Sequence, residues 1–153
     1  MTRYARGTTV PVQRSIAELQ ALASRFGAKR FGYATDDEGS SVITFATDQR
    51  AYRLEVNPSE PEEHKFTPTG QLRGAVARST MARDETARRW RSLALLMKAL
   101  LVAVDDGLMD TQTALLPWTL LPDGTTIGQW AGPALDDAYG SGSMAAITAG
   151  GRR

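Results

Sequence analysis

Five arginines carry the strongest chemical signal in this chain of 153 residues: Arg73, Arg78, Arg88, Arg89 and Arg91. Guanidinium groups grip phosphates bidentately, and a row of them on an exposed helix face supplies affinity that does not depend on base sequence. These five are therefore the expected nucleic-acid-binding residues. Other chemistry-bearing residues form weaker patterns. His64 is the one histidine, which excludes sites needing two imidazoles and makes any Ser-His mechanism depend on a single loop residue. Glu63 and Lys65 form the E-x-K spacing that some metal-dependent nucleases place at a strand end with an upstream Asp, here Asp37 or Asp48. The acids at 36–38 and 60–63 are the candidates to converge on a hard cation. A solvated hairpin tip and an acidic loop explain the same residues without a metal. "GSGSMA" at 140–145 fits the G-x-G-x-x-A pattern formally but follows a helix rather than a strand, and no P-loop sequence occurs. No catalytic residue, metal ligand or cofactor is expected.

The net charge is only +1, yet the charges fall in blocks. Residues 1–34 carry 6 basic and 1 acidic side chain, 35–64 carry 2 and 8, 65–98 carry 8 and 2, and 99–151 carry 0 and 6. Such segregation creates a positive face on a nearly neutral molecule unless the blocks interleave in space. Cysteine is absent, which excludes disulfides and thiolate metal sites. With no signal-like apolar stretch near the start, a soluble cytoplasmic protein with no membrane partner is expected.

The elements that must position the arginines are legible from periodicity. One α+β domain is expected over residues 1–139, with a flexible tail at 140–153. After a short strand around Thr8 to Val12, Ser15 and Glu18 have capping-box spacing, and Ile16, Leu19, Leu22, Ala23 and Phe26 form one apolar stripe, closed by Gly27. "KRFGYA", "SVITFAT" and "AYRLEV" read as a three-stranded antiparallel meander. Ile43 and Phe45 should share one face, and Tyr52, Leu54 and Val56 should alternate with the charged Arg53 and Glu55. The proline-rich stretch at 57–70 reads as a mobile loop. One long central helix follows, from about Leu72 to Asp106, with its weakest points near Gly74 and Ser79–Thr80. Asp110 caps a short helix, "LPDGT" is a turn, and a last helix should run from about Thr126 to Ala138 with Ile127, Trp130, Ala134 and Leu135 inward. These make two short C-terminal helices.

On the central helix, Leu72, Val76, Trp90, Leu93, Met97, Leu100, Leu101 and Val104 project onto one broad stripe, and the five arginines onto the opposite side. Arg83 and Met81 do not fit that scheme. Past Ser92 the helix is apolar almost all round, as for a rod buried on several faces. The thirteen residues 92–104 span about 20 Å, short of the ~30 Å hydrocarbon core, so a core helix is expected rather than a membrane anchor. A helix that pairs with a second copy of the chain is the competing reading, which keeps a homo-oligomer as an alternative. Lys98 should run its stem along apolar neighbours toward water or Asp105.

The stretches "VPVQRSIAELQALASRFGA", "FGY", "TPTG", "RWRSLALLMKAL" and "LLPDGTTIGQW" resemble a group of small uncharacterised proteins encoded by bacteriophages and prophages. The resemblance covers residues 10–139 and implies a phage accessory protein acting in the cytoplasm of a bacterial host, with no activity or site residue to carry over. The order helix, meander, helix also looks like the double-stranded RNA binding domain, a likeness of fold alone. The expectation is thus a non-enzymatic protein that binds nucleic acid through its arginine face. The alternative is a protein-binding module that blocks a host defence or replication factor through its acidic loops.

Overall fold

A computed structural model describes residues 11–143. The order is α1 (Val12–Arg25), β1 (Arg30–Thr35), β2 (Ser41–Ala46), β3 (Ala51–Val56), α2 (Ala75–Asp105), α3 (Thr111–Ala114) and α4 (Ile127–Ser141), with 3-10 turns at Pro61–His64 and Leu116–Trp118. This is the α+β arrangement expected. The strands form one antiparallel sheet in the order β1-β2-β3, joined by two tight hairpins. In the first, Asp36 Oδ1 accepts the backbone N–H groups of Glu38 and Ser40, and Gly39 takes a positive φ of 85° that an L side chain resists.

The sheet buries the face that alternation predicts. Ile43, Phe45, Tyr52, Leu54 and Val56 meet Leu19, Leu22, Ala23 and Phe26 of α1 and Trp90, Ala94, Met97 and Leu101 of α2 in one core. Trp90 is its largest fully buried side chain, 2% exposed, and stands edge-on to Tyr33 with ring centroids 5.7 Å apart. Glu18 pairs with Arg91 at 2.5 Å and Arg25 with Asp105 at 3.0 Å, so both helices run in the same direction across the sheet.

Several expectations are corrected. Pro11, with φ −58°, precedes a helix that already begins at Val12, so the Thr8 to Val12 strand fails at Val12, and its earlier residues lie outside the described region. Ser15 sits inside the helix, fully buried, with no hydrogen-bond partner for its hydroxyl, and its capping box with Glu18 does not form. α2 begins at Ala75 rather than Leu72 and is unbroken through Ser79 and Thr80. Leu72, which precedes the helix, and Val76 are exposed. Farther along, Leu96 and Val102 are also exposed, so one side of the apolar half faces solvent. Lys98 is exposed, in keeping with a side chain that reaches water, while Asp105 pairs with Arg25. α4 continues through Gly140 and Ser141 into the segment expected as tail. The rest of that tail, from 144, lies outside the described residues.

An arginine clasp and an unpartnered helix

All five candidate arginines find partners within the chain itself. The stretch at 57–70, expected to be mobile, folds against the first half of α2. Glu60 caps the Pro61–His64 turn, and the Glu63 side chain returns a hydrogen bond to the Glu60 N–H at 2.8 Å. Arg89 donates to the carbonyls of Asn57 and Pro58, at 3.0 and 2.7 Å, and to the Glu63 carboxylate at 3.1 Å. Arg78 reaches Glu62 at 2.6 Å. Arg73, which precedes α2, donates to the carbonyls of His64, at 3.1 Å, and Phe66. Thr86 Oγ1 accepts the Ser59 N–H at 2.9 Å while donating to Ala82 O. Arg88 pairs with Glu85 one turn back along α2, and Arg91 with Glu18 of α1. Three of the five arginines therefore fasten the loop, and two fasten α2 to itself and to α1.

The acidic and basic blocks of the sequence thus interleave in space. Periodicity does not reveal that the acidic loop folds back over Arg78 and Arg89, because loop-to-helix pairing leaves no periodic trace. The Glu63 carboxyl is held below the usual carboxylate range, first by the Glu60 backbone N–H and then by the Ser59 hydroxyl and Arg89. His64 Nε2 lies 2.9 Å from the Ser59 hydroxyl. Ser59 is buried, so this Ser-His pair lies inside the clasp instead of facing a cleft where a substrate could reach it. Among the described residues, no three His, Asp or Glu side chains are placed to share a metal ion. Among the described residues no helix is long and apolar enough to cross a membrane.

The opposite situation holds at α4. Its start is well built: Thr126 Oγ1 accepts the Gln129 N–H, the Gln129 side chain returns to the Thr126 N–H, and Gly128 lies where a Cβ would come within 3.0 Å of Pro117 O. Arg53, reaching across from β3, donates to Gly124 O at 2.7 Å and Gln129 Oε1 at 3.0 Å. Beyond this attachment the helix leaves the body. No residue of α4 is buried among the described residues. Trp130 and Leu135, expected inward, are each 50% exposed, and Tyr139 is 88% exposed; Ala134 is exposed too. Ile127, half-buried against the Leu116–Trp118 turn, is the exception. The inward assignment failed because an amphipathic period identifies the apolar side of a helix without saying which molecule covers it. At about 100° per residue, Ile127, Trp130, Ala131, Ala134, Leu135, Ala138 and Tyr139 fall within roughly half the circumference, opposite Gln129 and Asp136. A shallow cavity of about 340 Å³ lies between Leu135, Ala138, Tyr139, Gly142 and Ser143.

No family model, curated protein or solved structure matches the chain. Function must therefore be read from the geometry.

Proposed function

We propose that the chain is a non-enzymatic docking module that captures a protein partner on the apolar stripe of α4. The observation that carries this reading is the exposure of Trp130, Leu135 and Tyr139 on one side of a regularly capped helix. Contiguous apolar surface of this kind marks interaction sites on small soluble proteins, and Trp and Tyr are the usual anchors of such interfaces. The segment from 99 to 143 holds six acidic and no basic side chains, which favours a partner whose apolar contact is rimmed by Lys or Arg. The same charge opposes pairing with a second copy, since two acidic faces repel. In the phage setting that the resemblance implies, the partner would be a host factor.

Nucleic-acid binding through Arg73, Arg78, Arg88, Arg89 and Arg91 is less favoured, because a phosphate would have to displace carbonyl and carboxylate partners already in place. The test is a pull-down from nuclease-treated bacterial lysate. A partner kept by the native chain and by Arg89→Ala, but lost by Trp130→Ala/Leu135→Ala, supports the proposal. Loss of the partner on nuclease treatment, or concentration-dependent self-association that the same double variant abolishes, overturns it.

A further inference from the structure

The sheet has two edges, and they are treated differently. Along β3, Thr119 pairs antiparallel with Tyr52, and the Leu120 N–H donates to Ala51 O at 2.8 Å. Along the outer side of β1, no described residue pairs. The hairpin bond from Asp36 N to Ser40 O sets the phase of the β1-β2 ladder, in which alternate residues exchange bonds. Arg30, Gly32 and Ala34 therefore bond inward, to Ala46, Thr44 and Val42, while Phe31, Tyr33 and Thr35 turn their backbone N–H and C=O groups outward. Tyr33 is 45% exposed, and Ala34 and Thr35 are exposed beside it.

Free edges are usually guarded by a proline or a charge placed in mid-strand. From Phe31 to Thr35 this one carries neither; its charges stand at the two ends and have opposite signs, Arg30 and Asp36. Each is three residues from Tyr33. A two-fold axis at Tyr33 that runs two copies of β1 antiparallel therefore sets Arg30 opposite the partner's Asp36, at both ends of the pairing. Tyr33 then faces the partner's Tyr33, and Phe31 the partner's Thr35, so every outward residue meets another and each such pair exchanges two backbone bonds. Moving the axis to Gly32 or Ala34 puts Thr35 or Phe31 opposite a residue beyond the partner's strand. Arg30 and Asp36 share the outer face with the small Gly32 and Ala34, so nothing bulky holds the two backbones apart. Asp36 binds its own turn through Oδ1, which leaves Oδ2 to accept a guanidinium.

We infer that the outer edge of β1 binds a second copy of this chain, joining two three-stranded sheets into one across a two-fold axis at Tyr33. The interface is self-complementary, as a closed symmetric dimer requires: the basic end of each strand meets the acidic end of the other. Opposite charges facing each other across paired strands stabilise the register that brings them together, and like charges there destabilise it. A net charge of only +1 leaves little repulsion between whole copies. The α4 surface stays free, because α4 is attached through Arg53 of β3, at the other edge of the sheet. Each dimer carries two such helices.

The test is sedimentation velocity of the full chain over roughly 5 to 500 µM, with amide exchange measured across the same range. A monomer-dimer equilibrium is expected, weakened by added salt. The Phe31, Tyr33 and Thr35 amides should exchange more slowly as concentration rises, and the Gly32 and Ala34 amides, already bonded to β2, should change less. Arg30→Glu, on an exposed side chain, should weaken the dimer roughly tenfold or more, since both end pairs become repulsive. Thr35→Pro, which removes an outward N–H, should weaken it at least as much. Trp130→Ala/Leu135→Ala should leave it unchanged, which separates this surface from α4. A monomer at the highest concentration, a dimer indifferent to Arg30→Glu, or a dimer lost with the α4 double variant would overturn the inference. So would outward amides equally protected at every concentration, which would mean that the chain covers its own edge.

Discussion

The first half of α2 and the whole of α4 present opposite solutions to the same problem. Each is a helix whose side chains announce a partner. On α2 the partner is in the chain: the acidic loop lies over the arginines and occupies them through Arg73, Arg78 and Arg89. On α4, among the described residues, the large side chains of the apolar stripe, Trp130, Leu135 and Tyr139, are half or more exposed. A side chain's chemistry states what it can bind, and the fold decides whether that capacity is already used.

Replacing one tryptophan at a time gives the sharpest contrast. Trp90→Ala should remove about 3–5 kcal/mol of folding stability, because a large fully packed side chain leaves a cavity that its surroundings only partly fill. Trp130→Ala, at a side chain 50% exposed, should cost far less, about 1–2 kcal/mol from the half that is covered, while abolishing partner capture. Urea denaturation of the two variants checks this, and comparable losses would mean that α4 packs on the body after all.

Next in size is Arg89→Ala, which leaves two carbonyls and a carboxylate without their donor. A loss of about 1–2 kcal/mol is expected, with faster amide exchange across 57–66 and no change in α4. Uniform exchange rates would show that the arginine does not hold the loop.

Acidification should open the clasp before it disturbs α4. Glu63 has a lower pKa in the fold than in the unfolded chain. Its contribution is therefore fully present above the unfolded value, about 4.3, and disappears as pH falls through the folded one. Amide exchange at 57–66 measured between pH 6 and 3 should rise on that descent. In Glu63→Gln the rise attributable to this group should be absent.

The smallest effect concerns nucleic acid. Duplex DNA should bind the native chain weakly, and Glu62→Gln/Glu63→Gln should strengthen binding at low salt by releasing Arg78 and Arg89. If the native chain already binds, with a salt slope that drops by about one for each arginine removed, then the clasp is no obstacle and the docking reading loses its advantage.

Most of the fold was legible because its elements carry their own signals. The meander followed from alternation in "SVITFAT" and "AYRLEV" and from turn residues such as Gly39. Asp110 capped its helix through the Thr113 N–H at 2.7 Å, and Gly107 ended α2 with a positive φ. The buried side of the central helix was right at Trp90, Met97 and Leu101, which join the core, and wrong at Leu72 and Val76, which are exposed. The candidate site was legible only in part. Residue types and spacing named the arginines, but Glu62 and Glu63 lie 16 and 26 residues from Arg78 and Arg89, and no local rule connects such distant positions. The α4 surface was hidden by the opposite assumption, that an apolar stripe is a buried one.

The parallel run of α1 and α2 has a consequence for the order of events at the ribosome. Glu18 meets Arg91 across 73 residues, which at a synthesis rate of about 5–20 residues per second is a delay of roughly 4–15 seconds. Through that interval the oily side of the first helix, Leu19, Leu22 and Phe26, has only the newly made sheet for shelter. A nascent chain of this design is most exposed to chaperones and to aggregation just before its second helix emerges.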